Sequence, residues 1–91
     1  MTGHELLVFG VNGEDEVKLI HGGDHNVKVV YRFDLRNGQW VARVIPIVDD
    51  AWAAVITIRA TDDGGAVLKR EDWHYRNGTW VKEGERTVKV C

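Results

Sequence analysis

The sequence predicts an all-β fold, a small antiparallel β-sandwich of about seven strands, from three observations. Apolar and polar residues alternate at period two along most of the chain, the pattern of half-buried strands. Clusters of Gly, Asn and Asp interrupt that alternation about every ten residues. No stretch places apolar residues at i, i+3, i+4 and i+7 over three helical turns. The rival arrangement is a small β-barrel or an up-and-down meander, because every connection is short enough to be a hairpin.

The predicted strands run over residues 5–11, 16–21, 26–36, 39–48, 51–61, 66–76 and 79–90. The connections are Asn12-Gly13-Glu14, Gly22-Gly23-Asp24-His25, Asn37-Gly38, Asp49-Asp50, Asp62-Asp63-Gly64-Gly65 and Asn77-Gly78. Asn-Gly is the strongest short hairpin signal, since a two-residue type I′ turn needs positive φ at both positions. Such a turn at Asn37-Gly38 sets Leu35 against Trp40, Phe33 against Ala42, Tyr31 against Val44 and Val29 against Pro46 as one apolar face. The other face then pairs Asp34 with Val41, Val30 with Ile45, and Arg32 with Arg43, a like-charge pair. Pro46 cannot donate to a ladder and marks an edge or a bulge. The fifth strand is apolar on both sides, which predicts a central position. In the last hairpin, Asn77-Gly78 pairs Tyr75 with Trp80 and Trp73 with Lys82. A one-residue bulge near Gly84 then lets Val88 and Val90 meet Leu68 and Ala66. Arg36–Val41 and Arg76–Val81 share five of six residues, a reused turn rather than a solenoid period.

Ninety-one residues suffice for one domain, residues 1–91. The net charge of −2, with both signs interspersed, shows no basic face for nucleic acid and no feature for a membrane. No signal peptide is visible, and Leu6–Phe9 is too short an apolar run for one. The compartment is left open. Cys91 is the single cysteine, so an intramolecular disulfide is impossible. Its thiol could cross-link two chains under oxidising conditions, and the expected state is a monomer or weak homodimer. The chain has no serine, which removes every serine nucleophile. No serine, one glutamine and matched hairpin turns also fit a computationally designed domain.

The last hairpin carries the candidate binding site. Trp73, Tyr75 and Trp80 could form an apolar platform on which sugar rings stack, with His74, Arg76 and Asn77 supplying hydrogen bonds to hydroxyls. Aromatic rings equally well serve as core, where each buries about 150–250 Å². The run Trp73-His74-Tyr75-Arg76-Asn77-Gly78 resembles the C-terminal Trp-Asp-Asn-Asn-x-Gly motif of the immunoglobulin-like starch-binding modules, with Trp and Gly at the same spacing. Trp40–Arg43, Asp50-Ala51 and Ala53–Ile58 resemble that family's middle strands, and Val17–Gly22 an early one. His74-Tyr75-Arg76 replaces the motif's Asp-Asn-Asn centre, so Trp73 is the ligand position carried over. The resemblance implies an immunoglobulin-like sandwich and non-catalytic binding of α-glucans.

Other constellations point to no chemistry. His21-Gly22-Gly23-Asp24-His25 offers two histidines and a carboxylate, short of a zinc set unless His4 or His74 joins them. Asp49-Asp50, Asp62-Asp63 and Glu71-Asp72 read as solvated acids, not as a pair spaced for glycoside hydrolysis. The glycine pairs precede no helix and cradle no phosphate. No catalytic residue, metal or cofactor is expected. The reading is therefore a non-catalytic binding module for a carbohydrate. The alternative is a natural or designed β-sheet scaffold or protein-interaction domain with no small ligand.

Overall fold

The computed structural model describes residues 6–13, 15–22 and 25–90. The described residues form seven strands and no helix: β1 (Leu7–Gly10), β2 (Glu16–His21), β3 (Val27–Asp34), β4 (Gln39–Pro46), β5 (Trp52–Ala60), β6 (Ala66–Arg76) and β7 (Thr79–Val90). All pairings are antiparallel, in a three-stranded sheet of order β1-β4-β3 and a four-stranded sheet of order β2-β5-β6-β7. The result is a small β-sandwich and not a closed barrel. In immunoglobulin domains the first, second, fifth and fourth strands share one sheet and the rest the other. Here the β2–β5 pair is shared with that order, whereas β4 joins β1 and β3.

Three short connections are hairpins and three cross between the sheets. The crossings follow β1, β2 and β4. Short length therefore does not decide between meander and sandwich. The first crossing is tied by Gly13 N to Glu16 O and Lys18 N to Val11 O, both 2.9 Å. At the second, Gly22 lies so close to Val27 Cγ2 and the Trp52 carbonyl oxygen that a Cβ would collide. At the third, the expected two-residue Asp49-Asp50 link is a longer segment from Ile47 to Ala51, with Asp50 at φ 64°. Its backbone is held by Asp50 N to Tyr75 O at 3.0 Å and Tyr75 N to Ala51 O at 2.7 Å.

The core lies where these crossings bring the sheets together. Val27, Val44, Ala51, Ala53, Tyr75 and Trp80 form one buried cluster, with Leu7, Ile20, Val29 and Trp73 packed against it. Among the large side chains of the described residues, only Val44 and Val55 are fully enclosed. The domain is thin, 48 × 31 × 19 Å, the smallest dimension matching two sheets about 10 Å apart with their outward side chains. β5 is a central strand, as its two apolar faces predict, with Ala53, Ala54 and Val55 buried. Pro46 closes β4, the centre of its sheet, where the β1 ladder has not begun; that ladder starts at Leu7 opposite Val44.

The two Asn-Gly turns differ. Asn77 (φ 53°) and Gly78 (φ 80°) make the expected two-residue turn, with Arg76 opposite Thr79 and Tyr75 opposite Trp80. The bulge also falls where predicted: Trp73 faces Lys82, Asp72 faces Gly84, and Glu83 is the extra residue. The first hairpin departs from prediction. Asp34 faces Gln39 across a four-residue loop, Phe33 faces Trp40, Tyr31 faces Ala42 and Val29 faces Val44. The register is two residues away from the expected one. A shift of two keeps every side chain on its face, and it removes the Arg32–Arg43 opposition, since Arg32 faces Val41 and Arg43 faces Val30. The cause is Asp34. Its carboxylate accepts Arg36 N at 3.0 Å and Asn37 Nδ2 at 2.8 Å, and its carbonyl accepts Gly38 N at 2.8 Å. An aspartate bonded to the backbone two residues on stabilises a wider turn.

Replacing Asp34 by Ala should release this loop and cost about 1 kcal/mol, the net value of such hydrogen bonds. Urea denaturation measures the cost, and loss of the Phe33–Trp40 ring contact by NMR reports the register. Gly78→Ala should cost about 1 kcal/mol as well, through positive φ alone.

Candidate functional site

β6 alternates, and that alternation divides the predicted site between two faces. Trp73 and Tyr75 point into the sandwich, whereas His74 and Arg76 point outward. Tyr75 is 6% exposed and Trp80 7%, with ring centroids 5.4 Å apart and planes tilted by 58°. Trp73 is half-buried, packs edge-on to Phe9 at 6.3 Å, and its Nε1 donates to Glu71 Oε1 at 3.2 Å. A sugar ring stacks on an exposed ring face, and Tyr75 and Trp80 offer none. Of the three aromatic residues expected to form the platform, Tyr75 and Trp80 are buried in the core cluster and Trp73 lies at its margin.

Of the polar residues predicted for the site, the structure brings His74 and Arg76 together. His74 Nδ1 lies 3.1 Å from Glu83 Oε1, and His74 Nε2 lies 3.1 Å from the Asp50 carbonyl oxygen. Arg76 Nη2 pairs with Glu83 Oε2 at 3.3 Å, and Arg76 Nε approaches His74 Nδ1 at 3.2 Å. Nδ1 cannot both donate to Glu83 and accept from Arg76. Since Nε2 donates to a carbonyl, neutral His74 uses the Arg76 contact and protonated His74 the Glu83 contact. Asn77 sits in the turn. His74, Arg76 and Glu83 bind one another at the bulge beside the third crossing.

Of the loop histidines, His21 packs its ring 5.6 Å from Trp52 and His25 is exposed; Gly23 and Asp24 lie outside the described residues, as do His4 and Cys91. No group of three metal-binding side chains exists among the described residues. Glu71 and Asp72 point to opposite faces of β6, each with its own cation: Lys69 at 3.4 Å from Glu71 and Arg70 at 3.0 Å from Asp72. Asp63 is occupied as a turn brace by Thr61 Oγ1, Gly65 N and Lys89.

Three surfaces escaped the sequence reading. The outer face of the four-stranded sheet carries the row Val17–Ile58–Leu68–Val88, the neighbouring pair Leu19–Ile56, and the row Ala60–Ala66–Val90. Val17, Leu19, Val88 and Val90 are about half exposed. The clue was the fifth strand, apolar on both sides. The second surface is the inner face of the three-stranded sheet, which runs out past its cover: Ala42 and Val44 are buried, but Tyr31, Phe33 and Trp40 are about half exposed. Phe33 and Trp40 meet edge to face at 5.6 Å. The third is a shallow pocket of about 440 Å³ on the outer side of the same sheet, lined with arginine.

Beyond the core, the inner face of the four-stranded sheet turns ionic. Lys82 contacts Glu85 at 2.7 Å and Glu71 at 3.8 Å, Lys69 bridges Glu71 and Glu85, and Lys18 pairs with Glu16 at 3.0 Å. The hydrogen bond from Lys82 and the charges of Lys69 and Lys82 hold Glu85 below the usual carboxylate range. Lys18 does the same to Glu16, by hydrogen bond first and charge second. Thr61, Lys89 and Gly65 N lower Asp63. Groups depressed in the folded state add stability above their unfolded values, about 4 for Asp and Glu. They lose it as pH falls through their folded values. The urea midpoint should therefore drop between about pH 5 and pH 3, and the Glu16→Gln, Glu85→Gln double variant should drop less. Equal declines would show that the network contributes nothing. Raised salt should also shrink the difference, since these pairs are exposed.

Comparison of the chain with protein-family models, curated proteins and solved structures gave no match.

Proposed function

We propose that this chain is a non-catalytic association domain, a β-sheet scaffold whose four-stranded sheet is covered on its outer face by a second copy of the chain. The observation that carries the reading is the open row Val17–Ile58–Leu68–Val88 with Leu19 and Ile56 beside it. Soluble monomers rarely leave such contiguous apolar faces uncovered. The enclosed core is meagre, with Val44 and Val55 the only fully buried large side chains among the described residues, so covering the second face adds burial that a small domain lacks. A cover needed for stability must be present wherever the chain is present, and a second copy meets that condition. The face suits a two-fold contact. Arg70 and Arg86 lie opposite each other beside Asp72, so each copy brings both signs to the border of the apolar rows.

Sedimentation equilibrium under reducing conditions, which keep Cys91 from cross-linking, should give a dimer. Leu19→Lys with Val88→Lys should give monomers of lower urea midpoint. A wild-type chain that stays monomeric at high concentration removes the second copy as occupant.

A glycan-binding reading draws on the exposed rings Tyr31, Phe33 and Trp40. Titration with a soluble α-glucan should then change tryptophan fluorescence in the wild type and in Trp73→Ala but not in Trp40→Ala. No response in the wild type ends that reading.

A further inference from the structure

The pocket on the outer side of the three-stranded sheet is lined by Val8 of β1, Arg32 of β3, Val41 and Arg43 of β4, and Asp34, Leu35 and Arg36 around the hairpin loop. Alternation puts Val8, Arg32, Val41 and Arg43 on the face turned away from the core. Arg32 faces Val41, and Arg43 lies two residues further along β4, so the two guanidinium groups are diagonal neighbours on one surface. Arg36 enters from the loop, which Asp34 holds in place.

Nothing among the described residues neutralises these arginines. None of the three makes a side-chain ion pair or hydrogen bond there, whereas Lys18, Lys69, Arg70, Arg76, Lys82 and Lys89 are each paired with an acid. Asp34 is the one acid in the lining, and both of its carboxylate oxygens accept hydrogen bonds from the loop. Three guanidinium groups against one carboxylate make this a basic patch on a chain of net charge −2. Moreover, Arg43 Nε is shut off from solvent with no hydrogen-bond partner. Buried N–H groups in folded proteins nearly always have an acceptor. A guanidinium fork accepts an oxyanion through paired N–H donors, carboxylate and phosphate alike. The volume, about 440 Å³, falls within the range of small-molecule sites and exceeds the needs of a bare ion, and Val8, Val41 and Leu35 supply an apolar wall.

We infer that Arg32, Arg36 and Arg43 form a binding site for a small organic oxyanion, a carboxylate or phosphate ester whose apolar group rests on Val8, Val41 and Leu35. The site does not use the outer face of the four-stranded sheet and is independent of self-association.

Phenyl phosphate and inorganic phosphate serve as probes, titrated separately at constant ionic strength and followed by NMR of backbone amides and arginine Nε–H groups. Phenyl phosphate should give saturable shifts at Arg32, Arg43 and Val41 and should draw the Arg43 Nε–H signal downfield. Inorganic phosphate should bind more weakly, by about tenfold or more for a well-covered phenyl ring. Arg43→Gln should weaken phenyl phosphate at least tenfold with amide dispersion retained. Should that variant unfold, Arg32→Gln carries the same expectation. The inference is overturned if the shifts are absent or do not saturate. Equal binding of both probes, or unchanged binding by a folded Arg43→Gln or Arg32→Gln variant, overturns it as well.

Discussion

Tyr75 and Trp80 face each other two residues from the Asn77-Gly78 turn, and the remaining architecture hangs on that packed pair. The third crossing is stitched to the Tyr75 backbone on both sides, through Asp50 N and Ala51 O. The rings fill the space beneath Val27 and Val44 of the opposite sheet. Two large rings can be buried in so thin a domain because their neighbours are small. Ala51 and Ala53 lie on the same inner face, and Gly22 lets the second crossing pass close to Val27 and Trp52. Large groups set against small ones at native packing density explain how a sandwich with few enclosed side chains closes at one end.

The other end has no such seal, and its chemistry differs accordingly. Along the inner face of β6 and β7 the side chains change from Tyr75 and Trp80 to Trp73, then to Glu71, Lys69 and Glu85. Charged side chains with partners remain near water there, and the sheet stays ordered without cover. The bulge at Glu83 separates the regions. It lets the aromatic and ionic segments of one long hairpin share a face, and it brings Glu83 to His74 and Arg76 on the reverse side.

The proposed roles rest on the surfaces that this arrangement leaves unsatisfied. The polar cluster around His74 is internally matched, and so is the lysine–glutamate network. The apolar outer rows of the four-stranded sheet and the arginine pocket of the other sheet are not matched. A binding domain would present surfaces of this kind, and they lie on opposite outer faces of the sandwich. One can serve self-association while the other stays open to a small ligand.

Residue pattern alone determined the all-β class, the β2, β6 and β7 boundaries, the central place of β5 and the bulge in the last hairpin. Each is a local consequence of period-two alternation, turn chemistry or a glycine in a strand. Tertiary structure decided what those signals leave degenerate. Arg-Asn-Gly-x-Trp-Val occurs twice and folds in two ways. In the second copy Tyr75 is drawn into the core opposite Trp80. In the first, Leu35 is left 87% exposed while Asp34 ties up the loop, so Trp40 meets Phe33 in the open. The same six-residue signal thus buries one tryptophan and exposes the other. Which short links cross between sheets was equally hidden, because a link's length does not say which sheet its next strand joins. Burial across those crossings, an interaction between residues far apart in sequence, made that choice.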